Sequence, residues 1–260
     1  MNKTFYFNVY KDLIRTDILI ARQTFLDKFI DLTIWVVLTV GVTGYIMPYF
    51  GLSNFGVFQL GGIIAATGLF ELYSNAVDLV GDFEGDRVIN YYLTLPIPSW
   101  LVILAKASYY FILYLTLAII MLPIGKICLW NQLDLTTINY GKLLLALIFQ
   151  SMFYSCFVLW AASTIENMAR LGNIWARYIF PMWFMGGFQF SWLALFSIMP
   201  AIAYLTLINP MMYITEAVRT SILGQAEYLN FWMCLAAIAL FSALSLYLSM
   251  YNLKKRLDFV

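Results

Sequence analysis

The stretch that decides the fold is VFQLGGIIAATGLFELYSNAVDLVG, residues 57–81, because it is long and almost wholly apolar. As an α-helix rising about 1.5 Å per residue, it would measure about 37 Å, whereas the hydrocarbon core of a bilayer is about 30 Å thick. The stretch can therefore cross a membrane. We assign it as the second span of a membrane protein that crosses the bilayer several times.

The composition of the whole chain agrees with that assignment. The 260 residues are 63% hydrophobic and only 11% charged, whereas soluble domains are about 45–50% apolar and about 25% charged. This excludes a soluble globule, a disordered chain and a secreted disulfide scaffold. The net charge of +1 offers no basic surface for a phosphate backbone, so we expect no nucleic-acid partner.

Five further apolar stretches have the length of a membrane span. The sequence thus predicts an all-α protein with a transmembrane domain over 30–251 and a charged cytoplasmic tail over 252–260. Between the last two spans, residues 195–227 contain apolar runs too short to cross, which is typical of short re-entrant helices. The six predicted spans are about 30–48, 57–81, 100–124, 143–163, 174–194 and 229–251.

Residues 1–29 have a different pattern, in which apolar side chains recur at helical spacing between lysines and arginines. Such a segment is typical of an amphipathic helix that lies in the membrane interface. A helix packed on the protein's own surface is the alternative. The segment lacks the long apolar core of a cleavable signal peptide, so we expect none.

The basic residues predict the orientation, because they accumulate on the cytoplasmic side of membrane proteins. With the N-terminus inside, the outer segments hold only Lys126, Lys142 and Arg219. Both termini are then cytoplasmic, and the expected location is a bacterial inner membrane. The inner segments hold ten basic residues: Lys3, Lys11, Arg15, Arg22, Lys28, Arg87, Arg170, Lys254, Lys255 and Arg256.

The chain offers few groups for catalysis. Histidine is absent, and the three cysteines Cys128, Cys156 and Cys234 are far apart. Serine–histidine hydrolysis and histidine-ligated zinc are therefore excluded, and the cysteine spacing forms no redox or metal motif. We predict no catalytic, cofactor-binding or metal-binding residue in this chain.

Two acids, Glu71 and Asp78, lie seven residues apart inside the second span and so share one helical face. Acids inside a membrane are costly and usually face protein or water. They could form an ion or proton site, or a structural polar seam in which Asp78 pairs with Lys106 of the third span. Glu71 has no obvious partner in the sequence.

A short cytoplasmic helix is predicted at about 84–94. It begins with the charged residues Glu84, Asp86 and Arg87, continues with the apolar Val88, Ile89 and Tyr92, and stops before Pro96. A connecting loop would not need this apolar stripe. The helix could dock into a cleft of a partner protein, or it could rest on the bilayer surface.

A second motif lies before the last span. Asn209 and Pro210 are a turn and helix-start signal, and Tyr213, Glu216 and Arg219 follow at helical spacing. Glu216 and Arg219 are three residues apart, so we expect them to pair.

These two segments resemble those of the type-2 ABC exporter permeases, which move lipids, glycans, drugs and other amphiphiles outward. The family shows an Asn-Pro followed by Tyr, Glu and Arg before its last span. It also shows an acidic-to-basic cytoplasmic helix followed by a Pro-x-Pro or Pro-x-Ser, here Pro96 to Ser99. The resemblance covers nearly the whole chain. It departs in the first span, where Trp35 lacks the Gly-x-x-Trp pattern of many glycan exporters.

The resemblance implies partners that the residues alone do not. Such a permease pairs with a second copy and with two separate ATPase subunits, and the helix at 84–94 would be its coupling helix. This chain has no GxxxxGK[ST] motif, so ATP and Mg²⁺ would bind to the partner and membrane lipids would surround the permease. The alternatives are an ion-coupled secondary transporter that uses Glu71 and Asp78, and a membrane-embedded enzyme.

Overall fold

The computed structural model describes residues 3–52, 54–85, 91–92 and 97–257. All regular structure in these ranges is helical, which confirms the predicted all-α class. Within these ranges, five helices are long and apolar enough to cross a membrane. A sixth span results only if two short helices that meet at 96° count as one bent span.

The described residues contain ten α-helices, most of them joined by short connections. A π-turn at Val42–Ile46 and a 3₁₀ turn at Met47–Phe50 extend the first helix, and a second π-turn at Trp175–Ile179 joins α5 to α6. The bounds are α1 Lys3–Gly41, α2 Phe55–Glu84, α3 Ser99–Cys128, α4 Tyr140–Ser163, α5 Gly172–Ile174, α6 Phe180–Met185, α7 Trp192–Ile198, α8 Pro200–Thr206, α9 Pro210–Leu223 and α10 Phe231–Leu257.

Helices α2 and α4 form the centre of the bundle. In the most apolar part of each span, 83% of the residues of α2 and 67% of those of α4 are buried, against 28–33% for α1, α3 and α10. The outer three helices pack on the central pair and leave apolar faces uncovered. Uncovered apolar faces of this size suit lipid or another membrane chain.

Local sequence signals set several helix ends. The side chain of Asn139 accepts a hydrogen bond from the backbone amide of Lys142 at the start of α4, and Ser191 does the same for Ala194 at the start of α7. These caps satisfy amides that the first helical turn leaves without partners. Helix α9 ends at Gly224, whose φ of 98° is favourable only for glycine.

The N-terminal segment differs from the expected boundary at residues 29 and 30. Helix α1 continues from Lys3 to Gly41 without a break, so the predicted interface helix and the start of the first span form one helix. Its N-terminal half packs along α3, where the hydroxyls of Tyr10 and Ser108 lie 2.6 Å apart. This contact places the N-terminal half of α1 against the protein's own helix.

The stretch predicted as the fifth span, 174–194, is the main correction to the topology. It is not one continuous helix, because α6 ends at Met185 and α7 begins only at Trp192. Gly187 has a φ of 74°, in the left-handed region that stops an α-helix. The carbonyl groups exposed by this break need hydrogen-bond donors, and the predicted re-entrant segment supplies them.

Candidate functional site

The turn at Asn209 and Pro210 ties the two short re-entrant helices to α6. Asn209 caps α9 by accepting a hydrogen bond from the amide of Met211 at 3.0 Å, and Pro210 fills the first helical position. The amide nitrogen of the same Asn209 side chain donates to the carbonyls of Pro181 and Met182 at 3.2 and 3.1 Å. One asparagine thus starts α9 and fixes its position beside α6.

Glu216 is fully buried and binds backbone rather than a cation. One carboxylate oxygen accepts from the amide of Trp192 at 2.9 Å, and the other accepts from the amide of Leu229 at 2.7 Å. The expected pairing with Arg219 is not among the ion pairs of the described residues. Both oxygens are already engaged, so the carboxylate joins the start of α7 to the segment before α10.

Arg219 is the largest fully buried side chain among the described residues, and it holds the broken segment together. Its Nε donates to the carbonyl of Phe58 at 3.1 Å, and its Nη2 donates to that of Phe188 at 2.8 Å. Its Nη1 donates to the carbonyls of Gly187 and of Phe190, the latter at 3.1 Å. A guanidinium suits this role because its donors form a fixed planar fork.

Two glycines of α2 make room for this arginine. A Cβ atom at Gly61 would lie 2.9 Å from Cγ of Arg219, and one at Gly62 would lie 2.9 Å from its Nη2. Such distances are too short for a real Cβ contact, so the pair of glycines lets α9 approach α2 closely. The guanidinium carbon also lies 3.5 Å from the centre of the Phe58 ring, within cation–π range.

Tyr213 points to a different neighbour. Its ring lies 6.2 Å from that of Phe241 in α10, and the residue is half-buried. The motif residues Asn209, Glu216 and Arg219 therefore contact α6, the start of α7 and α2 respectively, while Tyr213 contacts α10. The motif acts as a set of anchors for the re-entrant segment and does not converge on a single point.

The buried acid of α2 has a partner that the sequence did not suggest. Glu71 pairs with Lys28 of α1 at 3.1 Å. The ammonium of Lys28 also donates to Asn75 at 2.6 Å, and Asn75 donates to the hydroxyl of Tyr114 at 2.9 Å. A polar chain therefore crosses from α1 through α2 to α3 inside the bundle.

The expected pairing of Asp78 with Lys106 is wrong. Asp78 is exposed, and Lys106 instead pairs with Asp17 of α1 at 2.7 Å. The two acids of α2 therefore do not form one site, because Glu71 is buried against Lys28 and Asp78 faces outward. The polar seam exists, but it joins α1 to its neighbours rather than α2 to α3 alone.

The spacing of the two ion-pairing residues on α1 does indicate that they share a helical face. Asp17 and Lys28 are eleven residues apart, which is close to three full helical turns, so both lie on one face. The amphipathic pattern of this segment predicts a helix in the membrane interface, and that position does not suggest partners inside the bundle. The broken span gave a weaker signal, the adjacent Gly186 and Gly187.

Most of the predicted coupling helix lies outside the described residues. This applies to Asp86, Arg87, Val88, Ile89 and Pro96, while Glu84 is the last residue of α2. Tyr92 is described and is half-buried. Its burial raises the pKa of the phenol above the usual value, and the carboxylates of Asp17 and Asp82 raise it further. Tyr92 thus lies near the ion pair that joins α1 to α3.

A family model described as ABC-2 type transporter matches residues 13–223. The matched range begins within α1 and ends at the last residue of α9, so it includes both motif segments. Among curated proteins no match was found.

Proposed function

Because the chain belongs to the ABC-2 type transporter family and is a permease subunit of an ABC transporter, we propose that it exports an amphiphile using ATP hydrolysed by a partner. The cargo class is a lipid, a lipid-linked polysaccharide or a drug, taken from the cytoplasm or the inner leaflet. The proposed location is a bacterial inner membrane, with both termini in the cytoplasm.

The family match over 13–223 carries this proposal. The buried anchors at Asn209, Glu216 and Arg219 support it, because they give the motif a defined structural task within that range. A segment held at both ends by buried polar contacts can stay ordered within the membrane even though its backbone is interrupted. Such a segment suits the outer end of a transport path.

The partners follow from the same assignment. We propose a dimer of two permease copies bound to two ATPase subunits, with ATP and Mg²⁺ on the ATPases, because the chain lacks a P-loop motif. Residues 84–94 would form the coupling helix. Glu84 and Arg87 would contact the rim of a groove on the ATPase, and Val88, Ile89 and Tyr92 would fill its apolar centre.

The ion-coupled alternative loses support from the contacts of its two acids. Glu71 is engaged by Lys28 at 3.1 Å, and Asp78 lies on the exposed side of α2. A carboxylate that must bind and release an ion within the membrane needs access to a water-filled path and freedom from a permanent cation. The contact of Glu71 suits a structural role instead.

The energy source is the property to test. The complex would be purified from native membranes, reconstituted into liposomes of the same cells' lipids, and assayed for vanadate-sensitive ATP hydrolysis with a panel of candidate amphiphiles. We expect one class to stimulate hydrolysis several-fold, and only when the permease is present. Transport driven by a proton gradient, without ATP and without an ATPase subunit, would overturn the proposal.

A further inference from the structure

A groove of about 460 Å³ lies between α4, the π-turn with α6, the Asn209 turn and α10. That volume is in the range of small-molecule sites, about 300–1,000 Å³. Its wall is almost entirely apolar and rich in aromatic rings, including Phe153, Phe157 and Phe241. Of the anchors described above, Asn209 lines this groove, whereas Glu216 and Arg219 do not, so its occupant is a separate question.

The direction of the groove follows from contacts at one end of the bundle. The side chains of Asn252 and Ser163 are hydrogen-bonded at 3.2 Å, so the C-terminal ends of α4 and α10 lie on the same side. Near that side, the ring of Trp160 lies 5.3 Å from that of Tyr178, the neighbour of Arg177. Arg177 therefore lies toward the end of the groove nearer the basic C-terminal tail.

Arg177 is the charged residue of this groove. Its side chain is exposed and lines the cavity, and within the described part of the chain it makes no hydrogen bond or ion pair with another residue. It lies on the π-turn Trp175–Ile179, and such turns within helices are frequent at functional sites. An unpaired arginine beside an apolar membrane groove needs an anionic partner, because an isolated charge there is costly.

We propose that this groove binds one acyl chain of an anionic phospholipid of the cytoplasmic leaflet, with the lipid phosphate paired to Arg177. The apolar wall suits the chain, and a guanidinium suits the phosphate by bidentate hydrogen bonding. The cytoplasmic leaflet is the one that carries anionic lipid. Lys255, at the same end of α10, is exposed, which adds to the attraction for negative headgroups.

A second copy of the chain fits this groove less well. A two-fold interface places the same surface of both copies face to face. If the two-fold axis ran through the groove beside Arg177, the two Arg177 side chains would meet, and like charges in a low-dielectric environment repel strongly. The proposal does not depend on the exporter assignment, because a resident lipid requires neither ATP nor a transported cargo.

The first test is photo-crosslinking of the full-length chain in liposomes. The probes are phosphatidylglycerol and phosphatidylcholine that carry the same diazirine-labelled acyl chain, and labelled peptides are mapped by mass spectrometry. We expect phosphatidylglycerol to label the segment 241–248 several-fold more than phosphatidylcholine does. Equal labelling by the two lipids, or labelling spread evenly over α1, α3 and α10, would overturn the proposal.

Removal of the positive charge at Arg177 tests its contact with the lipid headgroup. Arg177→Gln should reduce phosphatidylglycerol labelling of 241–248 to the phosphatidylcholine level. The matched control is Arg170→Gln, because Arg170 has a 57% exposed side chain and is already paired with Glu166. Labelling unchanged by Arg177→Gln, or reduced equally by both variants, would contradict the assigned phosphate contact.

Substitutions to tryptophan that fill the groove test the contact with the acyl chain. Leu244 lines the groove and is 50% exposed, whereas Leu240 lies one turn away, is 70% exposed and does not line it. Leu244→Trp should abolish the preferential labelling, and Leu240→Trp should preserve it. Equal effects of the two tryptophans would overturn the proposal. An efficient disulfide between two copies that carry Leu244→Cys would also overturn it, because it would place a second copy at the groove. If Leu244→Trp does not fold, the comparison of Arg177→Gln with Arg170→Gln decides.

Discussion

A single buried guanidinium accounts for much of the architecture at the residue scale. Arg219 donates to the carbonyls of Phe188 and Phe190, which the broken helix leaves open, and to that of Phe58 in α2. An unsatisfied buried carbonyl costs about 1–3 kcal/mol. The Arg219 contacts therefore make an interrupted chain stable inside the membrane.

Replacement of this guanidinium should be costly even when the charge is kept. Arg219→Lys loses the planar fork and leaves at least one carbonyl without a donor, so we expect a loss of about 2 kcal/mol or more. The measurement is the midpoint of thermal unfolding in detergent, followed by tryptophan fluorescence. Arg170→Lys on the exposed surface is the control and should unfold as the wild type does. A wild-type midpoint for Arg219→Lys would show that its contacts are dispensable.

The pair of Lys28 and Glu71 should behave as a structural contact. Lys28→Met or Glu71→Gln alone leaves one buried charge without its partner and should lower stability. The double variant should recover part of that loss, with a coupling free energy of about 0.5–3 kcal/mol in a double-mutant cycle. It should also retain transport. Additive losses would exclude the structural coupling, and a well-folded double variant that cannot transport would favour ion coupling.

At the scale of elements, hydropathy predicted the long helices well. The spans expected at 57–81, 100–124 and 143–163 lie within α2, α3 and α4, because a bilayer requires about 20 apolar residues in a row. The expected span at 174–194 is wrong, because hydropathy detects an apolar run but does not detect a break of the helix within it. The break depends on Gly187 and on hydrogen bonds from Arg219, which is distant in sequence.

The candidate site was predictable in its residues but not in its contacts. The Asn-Pro turn and the spacing of Glu216 and Arg219 are visible in the sequence. Local spacing favoured a pair between these two, whereas each binds backbone from another segment. Tertiary partners of this kind, like Lys28 for Glu71, depend on how helices pack, and sequence spacing within one helix does not report that.

The orientation of the elements can be measured by cysteine labelling. In a variant without Cys128, Cys156 and Cys234, a cysteine at Asp134 should react with an impermeant thiol reagent added to intact cells, because the loop after α3 is predicted to lie outside. A cysteine at Gly85 should react only after the cells are opened. The reverse pattern would overturn the predicted orientation, and with it a cytoplasmic coupling helix.

The predicted coupling helix should bind its partner mainly through an aromatic side chain. Tyr92→Ala should lower co-purification of the ATPase by at least tenfold, because central buried aromatics contribute about 2 kcal/mol or more to such interfaces. Arg87→Ala at the rim should have a small effect, of about 1 kcal/mol or less. Wild-type ATPase binding by a double Ile89→Ser, Tyr92→Ala variant would indicate that the helix lies on the bilayer instead.

At the scale of the whole molecule, the described residues form a bundle with two buried central helices and outer helices whose apolar faces are exposed. Helices α2 and α4 are largely buried, while α1, α3 and α10 leave apolar residues such as Leu38, Ile119 and Leu240 exposed. Such surfaces suit lipid, and a second permease copy in the proposed dimer would cover part of them. We expect the working unit to be larger than one chain, because this permease has no P-loop and the proposed export would take ATP hydrolysis from a separate subunit.

The most direct test of that central claim is native mass spectrometry of the tagged chain purified in mild detergent from its own membranes. The predicted result is a complex of two permease copies and two copies of a P-loop ATPase, which loses the ATPase subunits in the Ile89→Ser, Tyr92→Ala double variant. A fully active chain that is recovered alone, with no ATPase at any detergent concentration, would contradict the account.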